Sequence, residues 1–223
     1  MFTAPENISE DTSLRGRLIS NQRNHSLSDQ FRIAQELARS VFYIHAHGFV
    51  HKTIRPETIL LLSNRSAEFG SAFLVGFDSF GKADGNTVQS GDSLWEANLY
   101  RHPKRLGLAP QDRYIMQHDI YSLGVCLLEI GLWNTFVTYE GDSNIAVPSS
   151  TLNVETDRVE PVSLKDHLVS PANEVLPRHM GNKYARIVKT CLTCLDKDNT
   201  DFGDESEYQD NSEILVAVRS SFN

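Results

Sequence analysis

The chain has 223 residues, enough for one sizeable domain with its own apolar core. Hydrophobic residues make up 40% and charged residues 22%, and the net charge of -8 leaves no basic stripe for nucleic acid or an anionic membrane surface. No apolar run approaches the roughly 18 residues needed to span a bilayer. The opening Met1-Phe-Thr-Ala-Pro-Glu-Asn7 lacks the basic and apolar regions of a secretory signal. Three cysteines (Cys126, Cys191, Cys194) are an odd number set in apolar patterns, which suits a reducing compartment; a cytoplasmic protein is expected.

Taken in chain order, residues 1–25 form a hinge-like polar segment with a short helix at Ser13 to Ser20, and the main domain occupies 26–223. Ser26 or Ser28 caps a long helix whose apolar stripe is Leu27, Phe31, Ala34, Leu37, Val41 and Ile44, with Gly48 at its exit. Phe49-Val50 and Ile59 to Leu62 are short buried strands around a loop at Thr53, and Ala72 to Phe77 is another strand. Residues 78–118 are largely irregular. Asp119 to Trp133 is a second helix, apolar on nearly every side and therefore surrounded by protein. A mobile loop is expected from Asn134 to about Glu160, then short helices at Ser163 to Leu168 and Pro171 to Leu176 and a longer one from Gly181 to Leu195. An acidic, solvated loop at Asp196 to Asp210 and a closing helix at Ile214 to Val218 complete the chain. The fold class is mainly α with small β elements (α+β).

Two clusters invite a metal reading and do not carry it. His45, His47 and His51 have no carboxylate or cysteine beside them in sequence, and His45 and His47 at a helix end favour the free carbonyls there. Cys191-Leu-Thr-Cys194 is a single C-x-x-C on an apolar helix, which points to buried structural thiols.

The segment Tyr43-Ile-His-Ala-His-Gly-Phe-Val-His-Lys-Thr-Ile-Arg-Pro-Glu-Thr-Ile-Leu-Leu-Leu62 resembles a protein-kinase catalytic loop, where H-R-D-L-x-x-x-N is expected. Asp119-Ile-Tyr-Ser-Leu-Gly124 is similar to the opening of the central helix of that lobe, Gly76-Phe-Asp78 stands where D-F-G belongs, and Tyr100-Arg-His-Pro-Lys104 resembles the A-P-E segment. The match runs over about residues 13–222 and is similar also to kinase-like domains of filamentous fungi. It implies a protein-kinase C-terminal-lobe fold, with His51, Phe77 and Asp119 as structural anchors and with the N-terminal lobe absent, truncated from this chain or supplied by another polypeptide.

The same resemblance implies that the chemistry has been lost. His51 and Arg55 keep the frame, but Thr53 replaces the aspartate that takes the substrate proton, forfeiting roughly a hundred-fold to ten-thousand-fold in rate. Thr58 replaces the magnesium-binding asparagine, and Gly76 offers no side chain where the main magnesium carboxylate belongs. Asp78 would lie on the same side of a continuing strand as Gly76, displaced by roughly 6–7 Å. No G-x-G-x-x-G occurs, and no lysine precedes Lys52. Lys104 stands where the family pairs a glutamate with an arginine; an acid in Asp196 to Asp210 is its expected partner. The resulting expectation is a catalytically inactive kinase-like module acting through protein partners, with no cofactor. The alternatives are an active or weakly active serine/threonine kinase using Mg-ATP, its N-terminal lobe missing from this chain, or a non-functional kinase remnant.

Overall fold

The computed structural model describes residues 8–20, 26–64, 67–82, 94–106, 114–140, 145–152, 161–199 and 201. Its elements run β1 (Ile8–Ser13), α1 (Leu14–Ile19), α2 (Leu27–Ala46), β2 (Phe49–Val50), β3 (Ile59–Asn64), β4 (Ala67–Leu74), β5 (Gly81–Lys82), α3 (Trp95–Asn98), α4 (Met116–Leu132), β6 (Val137–Glu140), β7 (Ile145–Pro148), α5 (Pro161–Glu174) and α6 (Leu176–Leu192). Short 3-10 turns at Pro56–Thr58, Phe77–Ser79 and Pro103–Arg105 punctuate the loops. The architecture is mainly helical with small strands, as the sequence leads one to expect.

Helix α4 is the axis of the core: every residue from Met116 to Gly131 is buried. Gly124 and Gly131 let α6 approach, since a Cβ added there would lie 2.8 Å from Cys191 Cβ and 2.5 Å from Leu176 Cδ1. Helix α2 starts with reciprocal capping, in which Ser26 Oγ accepts from Asp29 N at 3.1 Å and the Asp29 carboxylate accepts from Ser26 N at 3.1 Å. It stops at Gly48, whose φ of 74° is costly for any other residue. Its inward stripe is Ile33, Ala34, Leu37, Ala38, Val41 and Ile44. Leu27 and Phe31, expected on that stripe, are exposed; Phe31 lies about 100° around the helix from Gln30, where the buried face begins.

Strands β1, β3 and β4 form an antiparallel sheet in which Leu60 pairs with both Ser13 and Phe73. Ile59, Leu61, Ala72 and Leu74 bury the inner face, and α2 packs along β4. On the outer edge of β4, Glu36 accepts from Ala72 N at 2.6 Å and Arg32 donates to Gly70 O at 2.6 Å. Strands β2 and β5 make a two-residue ladder, Phe49 with Lys82 and Val50 with Gly81.

Three expectations need correction. Residues 134–140 and 145–152, expected in a mobile loop, carry the β6–β7 hairpin, anchored by fully buried Phe136 and Val137. The two short helices expected at 163–176 are one helix, α5, which runs through Pro171 because Leu168 and Ala172 are both held in the core. Helix α6 begins at Leu176, five residues before the expected start, with a break at Gly181 (φ 80°, ψ 164°). The expected helix at 214–218, and most of the acidic loop at 196–210, lie outside the described residues. Among the described residues no helix is long and apolar enough to cross a membrane.

A buried ionic cluster ties these layers together. Arg15 on α1 donates to Glu57 at 2.9 Å and to Glu129 on α4 at 3.0 Å, and also meets Thr135 and the Tyr100 hydroxyl. Glu129 is fully buried and accepts further bonds from Tyr100 OH (2.9 Å) and Phe136 N (2.8 Å). Burial opposes the charge on Arg15, but Tyr100, Glu129 and Glu57 together hold its pKa above the ordinary value. Burial pushes the Glu129 carboxyl up, and Arg15, the Phe136 N–H and Tyr100 pull it back. Removing the cation strands a buried carboxylate, so Arg15→Met lowers unfolding free energy by about 3–5 kcal/mol in urea titrations. In that background Glu129→Gln recovers part of the loss.

Candidate functional site

The first turn of α4 delivers Asp119, fully enclosed, to the loop between β2 and β3. Its carboxylate accepts from the backbone N–H groups of His51 (2.6 Å) and Lys52 (2.9 Å) and from the Tyr114 hydroxyl (2.7 Å). His45 Nε2, from the last turn of α2, lies 3.1 Å away on the same carboxylate. Burial would push this carboxyl up; the bonds from His45, Tyr114 and the His51 N–H outweigh it and hold the pKa below the ordinary carboxylate range. The two adjacent N–H donors orient the loop, and Lys52 takes the uncommon φ of 74° within it.

From this anchor the loop reaches the turn after β4. His51 is fully enclosed; Nε2 donates to Val75 O at 3.1 Å, so Nδ1 is the acceptor, facing Thr53 N at 3.4 Å. Burial lowers the imidazole pKa, against the pull of Asp119. The Phe77 ring packs edge-on with centroids 4.8 Å apart and also meets the Phe80 ring, yet stays about half-exposed. Thr53 Oγ1 lies 3.0 Å from Gly76 O and 3.2 Å from His51 Nδ1, two acceptors between which the hydroxyl's single proton is divided. Thr58 Oγ1 donates to Thr53 O at 2.8 Å and accepts from Arg55 N at 3.1 Å, and Val75 N donates to Thr58 O at 2.8 Å.

Gly76 sits at φ 85°, and a Cβ built on it would lie 2.8 Å from Thr58 Cγ2. The Thr58 methyl therefore occupies the room that a side chain at 76 needs. The strand expected to continue through Phe77 ends at Leu74, and Asp78 falls in an exposed 3-10 turn. The geometry that would carry Asp78 to the same side as residue 76 is thus not formed. Arg55 is about half-exposed, its Nε 3.8 Å from Glu57 Oε2.

His51, Thr53, Thr58, Gly76 and Phe77 are brought together over Asp119, while Arg55 and Asp78 face outward. One expectation about partners changes. His45, expected to face helix-end carbonyls with no carboxylate near, pairs with Asp119, although His47 Nδ1 does lie 2.7 Å from Tyr43 O. Lys104 is exposed and the Asp196 carboxylate is held by Lys165 of α5, while most of the acids expected opposite Lys104 lie outside the described residues. Cys191 and Cys194 are buried; burial pushes the Cys191 thiol up to about 12, and Cys194 Sγ donates to Gln117 O at 3.2 Å. The Arg15–Glu57–Glu129 cluster behind the loop escaped sequence reasoning. Its available signal was a glutamate inside the all-round apolar run Leu127-Leu-Glu-Ile130.

Chemically, this arrangement holds two loops together with neutral groups. Thr53 supplies no base near neutral pH, and the Thr58 oxygen is already engaged by backbone. Among the described residues no group of three or more His, Cys, Asp or Glu side chains could hold a metal ion, and the oxygens at 58 and 76 do not fit a magnesium site.

A profile of protein tyrosine and serine/threonine kinases matches residues 6–159. The chain is similar to eukaryotic translation initiation factor 2-alpha kinase 1 of Mus musculus, at 34% identity over 105 residues, covering 44% of this chain and 16% of that protein. It is likewise similar to a serine/threonine-protein kinase-like protein of Arabidopsis thaliana, at 34% over 105 residues (45% of this chain, 27% of that one). Against a MAP kinase kinase of Schizosaccharomyces pombe it is 26% identical over 171 residues, 76% of this chain and 40% of the relative. The match thus spans well under half of each of these relatives.

The contact between Thr58 and Gly76 is open to a double-mutant cycle. Gly76→Ala lowers stability by about 1–3 kcal/mol, from its positive φ and the Thr58 methyl together. In a Thr58→Ser background, which deletes Cγ2, chemical denaturation returns a smaller cost; equal costs in both backgrounds refute the contact.

Proposed function

The chain belongs to the protein tyrosine and serine/threonine kinase family, and on that premise we propose that it is a catalytically inactive kinase-like module, built like the family's C-terminal lobe, that works through protein contacts. The observation that carries this reading is the state of Thr53: a neutral hydroxyl stands at the family's base position, and its single proton faces two acceptors inside the protein, Gly76 O and His51 Nδ1. A residue in that condition neither accepts a proton from a substrate hydroxyl nor carries charge toward a phosphate. Gly76, at the position of the main magnesium carboxylate, adds support, because a side chain there would collide with Thr58.

What remains in working order is the frame. Asp119, His51 and the backbone donors of the loop form a rigid platform, and a rigid platform with neutral chemistry suits a scaffold or regulatory surface whose output is binding. The runner-up is an active or weakly active serine/threonine kinase using Mg-ATP. It draws on the relatives, which are kinases by name, and on the half-exposed Arg55 beside the loop.

The two readings separate in a thermal-shift titration of the 223-residue chain with Mg-ATP. The inactive module gives no saturable rise in Tm and no transfer of labelled γ-phosphate. A saturating shift of several degrees accompanied by transfer overturns it. Should trace transfer occur, Thr53→Ala leaves its rate unchanged, since the hydroxyl has no proton-transfer role.

A further inference from the structure

Away from the loop, two imidazoles are buried where α4 meets the segment that precedes it. His102 caps the 3-10 turn Pro103–Arg105, His118 sits in the first turn of α4, and their ring centroids are 5.9 Å apart. They are only 4% and 2% exposed. Each ring spends its Nδ1 lone pair on a backbone donor: Lys104 N at 3.2 Å for His102, Ile115 N at 3.0 Å for His118. A neutral imidazole that accepts at Nδ1 carries its proton on Nε2, and among the described residues neither Nε2 has a hydrogen-bond partner. Such a ring makes a poor metal ligand through Nε2, because metal-bound histidines donate from the other nitrogen.

Protonation has a defined local effect here. The added hydrogen goes on Nδ1, the very atom that accepts, so each capping bond becomes one N–H pointed at another. Each cap fails when its own ring is protonated, one at the turn and one at the start of α4. We propose that the His102–His118 pair is an acid-operated latch, pinning the segment Leu94–Leu106 against α4 while both rings are neutral and freeing it when they take up protons.

The surroundings set the direction of the switch. Facing the pair are Lys104 and Arg105 from the turn, Lys165 from α5, Asp196 beyond α6 and Asp119 from α4. The Tyr121 ring stands edge-on to His102 at 5.1 Å, the Tyr114 ring lies 5.0 Å from His118, and the Cys194 thiol lies near Tyr121. The two carboxylates are already committed, Asp196 to Lys165 and Asp119 to its four donors. Burial, reinforced by the cations, lowers the His102 pKa to about 4 and that of His118 to about 3. The opened state, with both rings near 6.5, therefore binds more protons than the closed one below that pH. The latch is fully effective above about 6.5 and weakens as pH falls toward about 4, by up to tenfold in the opening equilibrium per pH unit for each ring. Because α4's first turn also carries Asp119, opening loosens the anchor of the loop at 51–58.

The experiment is an NMR titration of the histidine rings in the full chain from pH 7.5 to 4.5, with amide exchange followed at Lys104 and Ile115. The His102 and His118 rings, assigned by substitution, are expected to stay neutral, as the Nε2–H tautomer, down to about pH 5. Over the same range the opening equilibrium at Lys104 and Ile115, corrected for intrinsic exchange, rises by tenfold or more. In the double variant His102→Asn with His118→Asn, the amide oxygens keep accepting from Lys104 N and Ile115 N but do not titrate, so the rise disappears. Normal titration of either ring near pH 6.5 in the wild-type chain overturns the proposal, as does an undiminished rise in the variant. Should the variant fail to fold, the wild-type ring titration alone decides.

Discussion

Asp119 has lost all contact with solvent, a state that for an isolated carboxylate costs several kcal/mol. Four donors replace the water, and two of them are consecutive backbone N–H groups of the loop it holds. Because the loop is gripped by its main chain, its shape does not depend on which side chains it presents. His51 then passes the constraint onward through Val75 O to the turn after β4, and Thr53 and Thr58 extend it to Gly76 and Val75. Most of the site's geometry traces back to this one anion at the start of α4.

That arrangement accounts for how the loop keeps its shape around uncharged residues. Thr53, Thr58 and Gly76 are all neutral, and each satisfies the others: a hydroxyl on a carbonyl, a hydroxyl on two backbone groups, a methyl in the space beside a glycine. A charge left alone in this pocket would be expensive, whereas neutral groups that pair internally are tolerated. The second buried cluster, Arg15 with Glu57 and Glu129, lies behind the loop and meets it through Glu57. The loop is thus clamped from below by a carboxylate and from behind by a guanidinium.

Much of this was legible in the residues alone. The all-round apolar run of α4, the cap at Ser26, the exit at Gly48 and the clustering of His51, Thr53, Thr58, Gly76 and Phe77 follow from periodicity and from resemblance. What escaped was decided by tertiary contact. Leu27 precedes the point where α2 meets the core, and Phe31 is turned away from the face that begins at Gln30. Pro171 reads as a helix break, yet Leu168 and Ala172 on either side of it are both buried. The β6–β7 hairpin was hidden in a polar stretch whose anchoring residues, Phe136 and Val137, precede it or begin it. His45 and Asp119 are 74 positions apart, and Arg15 and Glu129 are 114 apart, so local pattern could not pair them.

The side chains of Arg32 and Glu36 lie across the outer margin of β4, one donating to Gly70 O and the other accepting from Ala72 N. Those main-chain groups are the ones a foreign strand would need in order to add itself to the sheet. With them already engaged by α2, that stretch of the margin is a poor template for a neighbour, which guards against edge-to-edge polymerisation and against recruitment of an extended peptide there. Whatever docks on this side of the molecule must do so by surface shape and side-chain chemistry, not by borrowing the backbone ladder.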